Sequence, residues 1–279
     1  MFMQTKNLKE VVNMRIVAFL GCGNMGGAMI RGIASSKEVN AQVKVYDIDS
    51  NKVEKICEET GSIACDRVEQ AVDGSDIVFV AVKPDIVKEV LQQIKDICND
   101  KIIVSIAAGV PVKVFQENLG NNACIVRTIP NLPAMVGAGL TGLYFQNVKD
   151  EDKEYVEKLF SCFGKAVTVT KEEYIDEMIA VTSSSPAYVC MFVEALADGG
   201  VRAGFSREDA YKMALQTIYG TSKLLMEENI HPAILREQVC SPRGTTIEGV
   251  VALEKHGFRN AILEAMKAVK EKVKLLYKG

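Results

Sequence analysis

Two stretches of this 279-residue sequence hold residues whose types and spacing could do chemistry. The first, GCGNMGGAMIRG, places Gly21, Gly23 and Gly26 at G-x-G-x-x-G spacing, directly after the apolar run RIVAFLG at 15–21. A glycine turn between a strand and an amphipathic helix lets backbone amides approach a pyrophosphate at the helix N-terminus. With Leu20, Asn24 and Met25, these glycines form the expected phosphate cradle of a dinucleotide. Such spacing also suits a plain strand-to-helix turn, and context rather than spacing favours the cofactor.

Asp47 stands 21 residues beyond Gly26, at the end of the second apolar run. A carboxylate there commonly accepts hydrogen bonds from the adenosine ribose hydroxyls and repels a 2′-phosphate. The reading leans slightly towards NAD(H) over NADP(H), although Ser50, Asn51 and Lys52 could hold a phosphate if Asp47 turned away. An exposed turn aspartate is the alternative. Further on, Ala81, Val82, Lys83 and Pro84 in AVKPD, and Ala107, Ala108 and Gly109 in SIAAGV, fall at the C-terminal ends of two more apolar runs. Ligands of open α/β sheets bind over those ends, so the two segments suit a nicotinamide edge.

The second stretch is QVCSPRGTTIEG at 238–249, where a proline, a glycine and two threonines interrupt a helical pattern. Thr245 followed by Glu248 reads as a capping box, predicting a helix over 245–256. The free amides and positive dipole end of that helix make an anion site. A well-capped helix with no ligand fits the same residues.

The elements that must position these groups divide the chain. From Met14 to about 170, apolar runs at 15–21, 42–48, 62–66, 76–82, 101–109, 124–131, 139–145 and 166–170 alternate with helical patterns. Most are continuously apolar, as strands covered on both faces are, which predicts an α/β, Rossmann-like doubly wound sheet. Beyond 171 only helical patterns follow, at 172–182, 186–203, 206–229, 232–239, 245–256 and 258–277. The expected organisation is an extension over 1–13, a dinucleotide-binding domain over 14–170 and an all-helical domain over 171–279.

Composition excludes several classes. A net charge of −3, with Lys and Arg spread along the chain, gives no footprint for nucleic acid. No continuous apolar run approaches the ~20 residues of a bilayer span, and MFMQTKNLKEVVN lacks the apolar core of a signal peptide, so no membrane and a cytoplasmic location are expected. Eight cysteines without a C-x-x-C pair, beside two histidines, indicate neither a zinc site nor a disulfide framework; they read as reduced, mostly buried thiols.

FLGCGNMGGAM, FVAVKPD, VSIAAGV, RTIPNLPA, SSSPAYVCMFVEALADGGV, HPAILREQVCSPRGTTIEGV and LEKHGFRNAILEA come in an order that resembles the pyrroline-5-carboxylate reductases, enzymes of proline biosynthesis. The likeness runs from Met14 to near the C-terminus. It implies reduction of 1-pyrroline-5-carboxylate to proline by NAD(P)H, with the substrate carboxylate on the amides around Ser241, Gly244, Thr245 and Thr246. It assigns Thr246 the hydroxyl that hydrogen-bonds the ring nitrogen, and it presents the backbone of the AVKP turn, rather than the Lys83 amine, to the cofactor. It also implies a homodimer of interlocked helical domains, each site drawing on both chains, with further assembly possible. Pro186 is expected near the start of a long helix whose Ala and Gly positions permit close packing. His231, beside Pro232, reads as a helix-start residue and not as a catalyst.

Three features depart from the family pattern. Arg243 stands where a glycine is usual; it could supply charge for the carboxylate, or alter the loop path if φ must be positive. Ser183 replaces a common glycine, and residues 1–13 have no counterpart in a typical member. Two rival readings share the architecture. One is a β-hydroxyacid-type dehydrogenase, for which Lys223 is the testable lysine; the other is a dinucleotide sensor without catalysis.

Overall fold

The computed structural model describes residues 14–276; the expected N-terminal extension lies outside them. The chain runs β1 (Arg15–Leu20), α1 (Asn24–Ser35), β2 (Ala41–Tyr46), α2 (Ser50–Thr60), β3 (Ile63–Ala64), α3 (Val68–Val72), β4 (Ile77–Val80), α4 (Val87–Ile94), β5 (Ile102–Ser105), α5 (Val112–Leu119), β6 (Cys124–Ile129), β7 (Gly139–Gln146), α6 (Asp150–Ser161) and β8 (Gly164–Thr168). Helices only follow: α7 (Glu173–Met178), α8 (Ser185–Arg202), α9 (Arg207–Glu227), α10 (Pro232–Val239), α11 (Thr245–Lys255) and α12 (Phe258–Leu276). All eight expected strands are present, each within a few residues of its predicted ends.

They form one sheet in the order β3-β2-β1-β4-β5-β6-β7-β8, with β1 to β6 parallel, β7 antiparallel to β6, and β8 parallel to β7. The order reverses between β1 and β4, which opens a crevice at their C-terminal ends. Continuously apolar strands are explained by two-sided burial. Val17 and Phe19 of β1 join a core with Met29 and Ile30 of α1 and Phe160 of α6, while Ala18 and Leu20 join an opposite core with Leu91 of α4 and Phe115 of α5. Phe19 and Phe79, paired across β1 and β4, stack with ring centroids 4.4 Å apart and brace the crevice from below.

Chain contacts divide the molecule into two units, the second being Ser184–Lys272. Residues 171–183, read from sequence as the start of the helical domain, belong to the first. Three interactions hold them there. Arg127 of β6, 2% exposed, pairs with Glu172 at 2.8 Å and Asp176 at 2.6 Å. Asn131 donates to the Thr182 carbonyl at 3.0 Å and accepts from the Leu140 amide at 2.9 Å. Ser183, the family departure, donates its hydroxyl to the Pro130 carbonyl at 3.2 Å. The predicted helix 172–182 is α-helical only to Met178 and a π-helix over Ile179–Ser183. Pro186 has no N–H, so the Thr182 carbonyl loses its ordinary helical donor and the Asn131 amide replaces it.

Within the second unit Gly200 brings α8 against α9: a Cβ there would lie 3.0 Å from the Ala210 methyl. Yet only Val193, Ala197, Ala210 and Ala214 are buried in this unit, while Met191, Leu215, Tyr219, Met226, Ile234 and Leu263 are each more than half exposed. Such apolar surface marks a protein interface. By length and composition alone Glu173–Arg202 would also pass as a bilayer-crossing helix, a test that core helices of soluble proteins pass as well. One expectation is corrected: all eight thiols are free, but only Cys22, Cys65 and Cys98 are buried, so they are not mostly buried.

Asn131→Ala removes both hydrogen bonds of a half-buried amide and is expected to lower stability by about 1–3 kcal/mol. Urea unfolding of the two proteins side by side checks this; coincident curves would show that the π-helix does not depend on Asn131.

Candidate active site

Each glycine of the first turn has a separate physical role. Gly21 has φ +105°, and a Cβ there would lie 2.5 Å from the Ala81 carbonyl oxygen. Gly26 packs its helix under the same turn, since a Cβ would lie 2.5 Å from the Gly21 oxygen and 3.3 Å from the Ala81 methyl. Gly23 is different: its φ is −62°, nothing lies within 4 Å of where its Cβ would be, and it occupies the N-cap of α1 without a side-chain cap. The first amides of α1 therefore face open space with the positive end of the helix dipole behind them. This is the cradle a dinucleotide pyrophosphate needs.

The expected ribose carboxylate takes part in shaping that cradle. Asp47 Oδ2 accepts the Cys22 amide at 2.8 Å and Oδ1 accepts the Asp49 amide at 3.0 Å, so Asp47 ties the glycine turn to the end of β2. Burial, then the Asp47 charge and hydrogen bond, push the Cys22 thiol up to about 12, which keeps it protonated beside the carboxylate. Ser50, Asn51 and Lys52 begin α2, capped by Asp49.

Strand register places the remaining first-unit groups in the same row. Leu20 lies beside Tyr46 on one side and Val80 on the other, and Val80 beside Ser105. Gly21, Asp47 and Ala81 follow one step beyond. Lys83 and Pro84 open a single 3-10 turn at the end of β4, with Lys83 exposed. Ala107 is buried, Ala108 exposed, and Gly109 turns the chain with φ +80°. Thr128 supports this edge from β6 by donating to the Ser105 carbonyl at 2.9 Å. Thus all the expected cofactor residues, from Leu20 to Gly109, border one edge of the sheet.

The second unit presents the loop 240–244. The Gly244 amide donates to the Ser241 carbonyl at 3.0 Å, closing a turn with Pro242 second and Arg243 third. Arg243 has φ +60°, a left-handed conformation that a type II turn demands at that position and that glycine adopts at no steric cost. Of the two roles weighed for Arg243, the structure shows the backbone consequence: the turn keeps a glycine-like path with a side chain on it. Gly244 keeps the turn close for another reason: a Cβ there would stand 2.3 Å from the Ser241 hydroxyl oxygen, which would have to rotate away, and 3.0 Å from the Ser241 carbonyl oxygen.

α11 begins at Thr245 as predicted, but the capping box is not formed. Gly244, extended at φ −78° and ψ 168°, is the N-cap, and no side chain caps the helix. Thr245 is already helical, so its hydroxyl is one position too late to serve the third amide. The helix N-terminus, flanked by Ser241, Thr245 and Thr246, is consequently left with uncapped amides. By contrast, His231 does start a helix: it is the N-cap of α10, and its Nδ1 accepts from the Ala233 amide at 3.2 Å. Lys223 pairs on the surface with Glu227 at 3.7 Å.

Sequence reasoning passed over Arg127, Glu172 and Asp176. Glu172 also accepts the Val112 amide at 2.8 Å, which anchors the start of α5 and hence the turn after β5. An arginine inside an otherwise apolar strand, CIVRTI, was the available signal. Among the described residues no cluster of metal-ligating side chains occurs.

A glycine turn of this kind, at the point where a parallel sheet reverses its strand order, defines a dinucleotide-binding domain. Comparison with known proteins is more specific. Residues 172–276 match the family described as pyrroline-5-carboxylate reductase dimerisation, and residues 16–109 match NADP oxidoreductase, coenzyme F420-dependent. The pyrroline-5-carboxylate reductase of Escherichia coli (strain K12) is 42% identical over 266 residues, covering 94% of this chain and 98% of that one. The crystal structure of such a reductase from Coxiella burnetii superposes with TM-score 0.90 at 29% identity, over 96% of this chain and 100% of that one. That of the Plasmodium falciparum pyrroline carboxylate reductase with NADP bound superposes with TM-score 0.81 at 31% identity, over 95% and 98%. The chain belongs to the pyrroline-5-carboxylate reductase family.

The contrast between Gly23 and Gly26 yields a test. Gly23→Ala meets no protein atom and is expected to leave the melting temperature of the ligand-free protein unchanged while weakening dinucleotide binding by about tenfold or more. Gly26→Ala, colliding with backbone, is expected to lower both. Fluorescence titration with NADH and thermal melts decide; full affinity in Gly23→Ala would reduce the glycine spacing to a structural turn.

Proposed function

We infer that this protein reduces 1-pyrroline-5-carboxylate to L-proline with NAD(P)H, the activity for which its relatives are named. The observation that carries the reading is the pairing, in one chain, of an open glycine cradle at Gly23 with a second, uncapped helix N-terminus at Gly244–Thr246. The cradle fits a pyrophosphate because Gly21 and Gly26 leave no room for side chains and Gly23 leaves room for a ligand.

The bound cofactor would supply a hydride to the imine carbon and be oxidised in doing so. The chain's own groups need to bind and orient. Amides of Gly244, Thr245 and Thr246 would hold the carboxylate, with the helix dipole adding to the attraction. The Thr246 hydroxyl would hydrogen-bond the ring nitrogen and keep its proton in place while the C=N bond becomes single. A protonated cyclic imine is already electrophilic, so positioning outweighs a strong general acid, which suits a loop without histidine. Leu20 to Gly26, Asp47, Ala81 to Pro84 and Ala107 to Gly109 would line the dinucleotide.

The Asp47 carboxylate supports a slight preference for NADH. The exposed apolar faces of α8 to α12 support a homodimer of helical units whose sites draw on both chains.

Oxidation of NADH or NADPH in the presence of 1-pyrroline-5-carboxylate tests the assignment: rapid turnover is expected, and none with 3-hydroxy acids, the substrates a β-hydroxyacid-type enzyme would take. A protein that binds dinucleotide and turns over neither would be a sensor. Thr246→Ala is expected to lower kcat by about tenfold or more, equivalent to ~1.4 kcal/mol, with the oligomer intact. Unaltered kcat removes Thr246 from the chemistry.

A further inference from the structure

The turn joining β2 to α2 carries an internal anion where a phosphorylated ribose would have to bind. The Asp49 carboxylate accepts the Lys52 amide at 3.4 Å through Oδ1 and the Lys52 ammonium at 3.1 Å through Oδ2. The Asn51 amide also contributes to holding this carboxylate below its usual range, though less than Lys52, and Lys52 is raised in turn by Asp49 and, more weakly, by Asp47. The Asp49 amide is itself taken by Asp47 at 3.0 Å. A 2′-phosphate needs a cation and several donors. At this turn the lysine and the donors converge on Asp49 instead.

We infer that Asp49 is a specificity-determining residue: by holding Lys52 it withholds from NADPH the cation that would pair with the 2′-phosphate. This deepens, and rests on, the reading of the strand tips as the dinucleotide site. Asp49 and Lys52 are partly exposed, with side-chain exposures of 38% and 57%, so the latch is a weak one that a single substitution opens. The two aspartates and one lysine leave the turn with a net negative charge, which opposes a 2′-phosphate more than the neutral ribose hydroxyl that stands in its place in NADH.

Asp49→Asn tests the idea without removing the α2 cap, because asparagine caps helices as well as aspartate does. Dissociation constants for NADH and NADPH are measured by nucleotide fluorescence, with no imine present, for the unaltered protein, Asp49→Asn, Lys52→Gln and the double variant. In Asp49→Asn the ratio Kd(NADH)/Kd(NADPH) is expected to rise about three- to fivefold, the size of one exposed charge pair. In the Lys52→Gln background the same change is expected to raise the ratio clearly less, by the direct charge repulsion alone. An unchanged ratio in Asp49→Asn overturns the inference, as does an equal rise in both backgrounds, which would mean simple charge repulsion without a latch. Failure of the unaltered protein to bind either dinucleotide would instead overturn the reading of the strand tips on which the inference stands.

Discussion

The close passage of β1 beneath the Ala81 carbonyl is the constraint on which the first unit depends. A side chain at Gly21 would stand 2.5 Å from that oxygen, and one at Gly26 equally close to Gly21 itself. Only with both positions bare does α1 begin immediately at the tip of β1, its amides aimed over the edge where β4 and β5 also end. Asp47 locks the arrangement by holding the Cys22 amide from the neighbouring strand. The geometry of the sheet, and not any reactive side chain, is therefore what the first unit brings to a hydride transfer.

The helical unit solves a related problem with different means. An anion held by backbone amides needs a helix whose first turn is not already satisfied by its own side chains. Gly244 as N-cap provides this, and the turn from Ser241 sets its direction. Arg243 shows that the turn path persists without the usual glycine: the left-handed backbone is kept, at a strain on the order of 1 kcal/mol for a non-glycine residue. Sparse internal burial across Ser184–Lys272 ties this unit to a protein partner, in keeping with its match to a dimerisation family.

Much of the fold was legible because two-sided burial writes long apolar runs and because turns demand particular residues. Strands such as DIVFVAV and the turn after RIVAFLG were readable from type and spacing alone. The break at Pro186 was visible, but its consequence was not. That a π-helix precedes it, that Asn131 rescues the freed carbonyl, and that 171–183 therefore packs with the sheet all depend on residues some fifty positions apart. The capping box failed for a local reason: Thr245 and Glu248 have the right spacing, but Gly244 takes the extended conformation first. Asp49 escaped notice because its meaning lies in which donors it occupies, and no sequence pattern records that.

In the proposed reaction, amides at the start of α11 hold the substrate carboxylate and the ring takes the hydride. A crystal structure of the protein with NADH and proline, the reaction product, tests it most directly. The proline carboxylate is expected on the amides of Gly244 to Thr246, with the ring carbon within about 3.5 Å of the nicotinamide C4. Proline bound away from that helix start, or many ångströms from the nicotinamide, would contradict it.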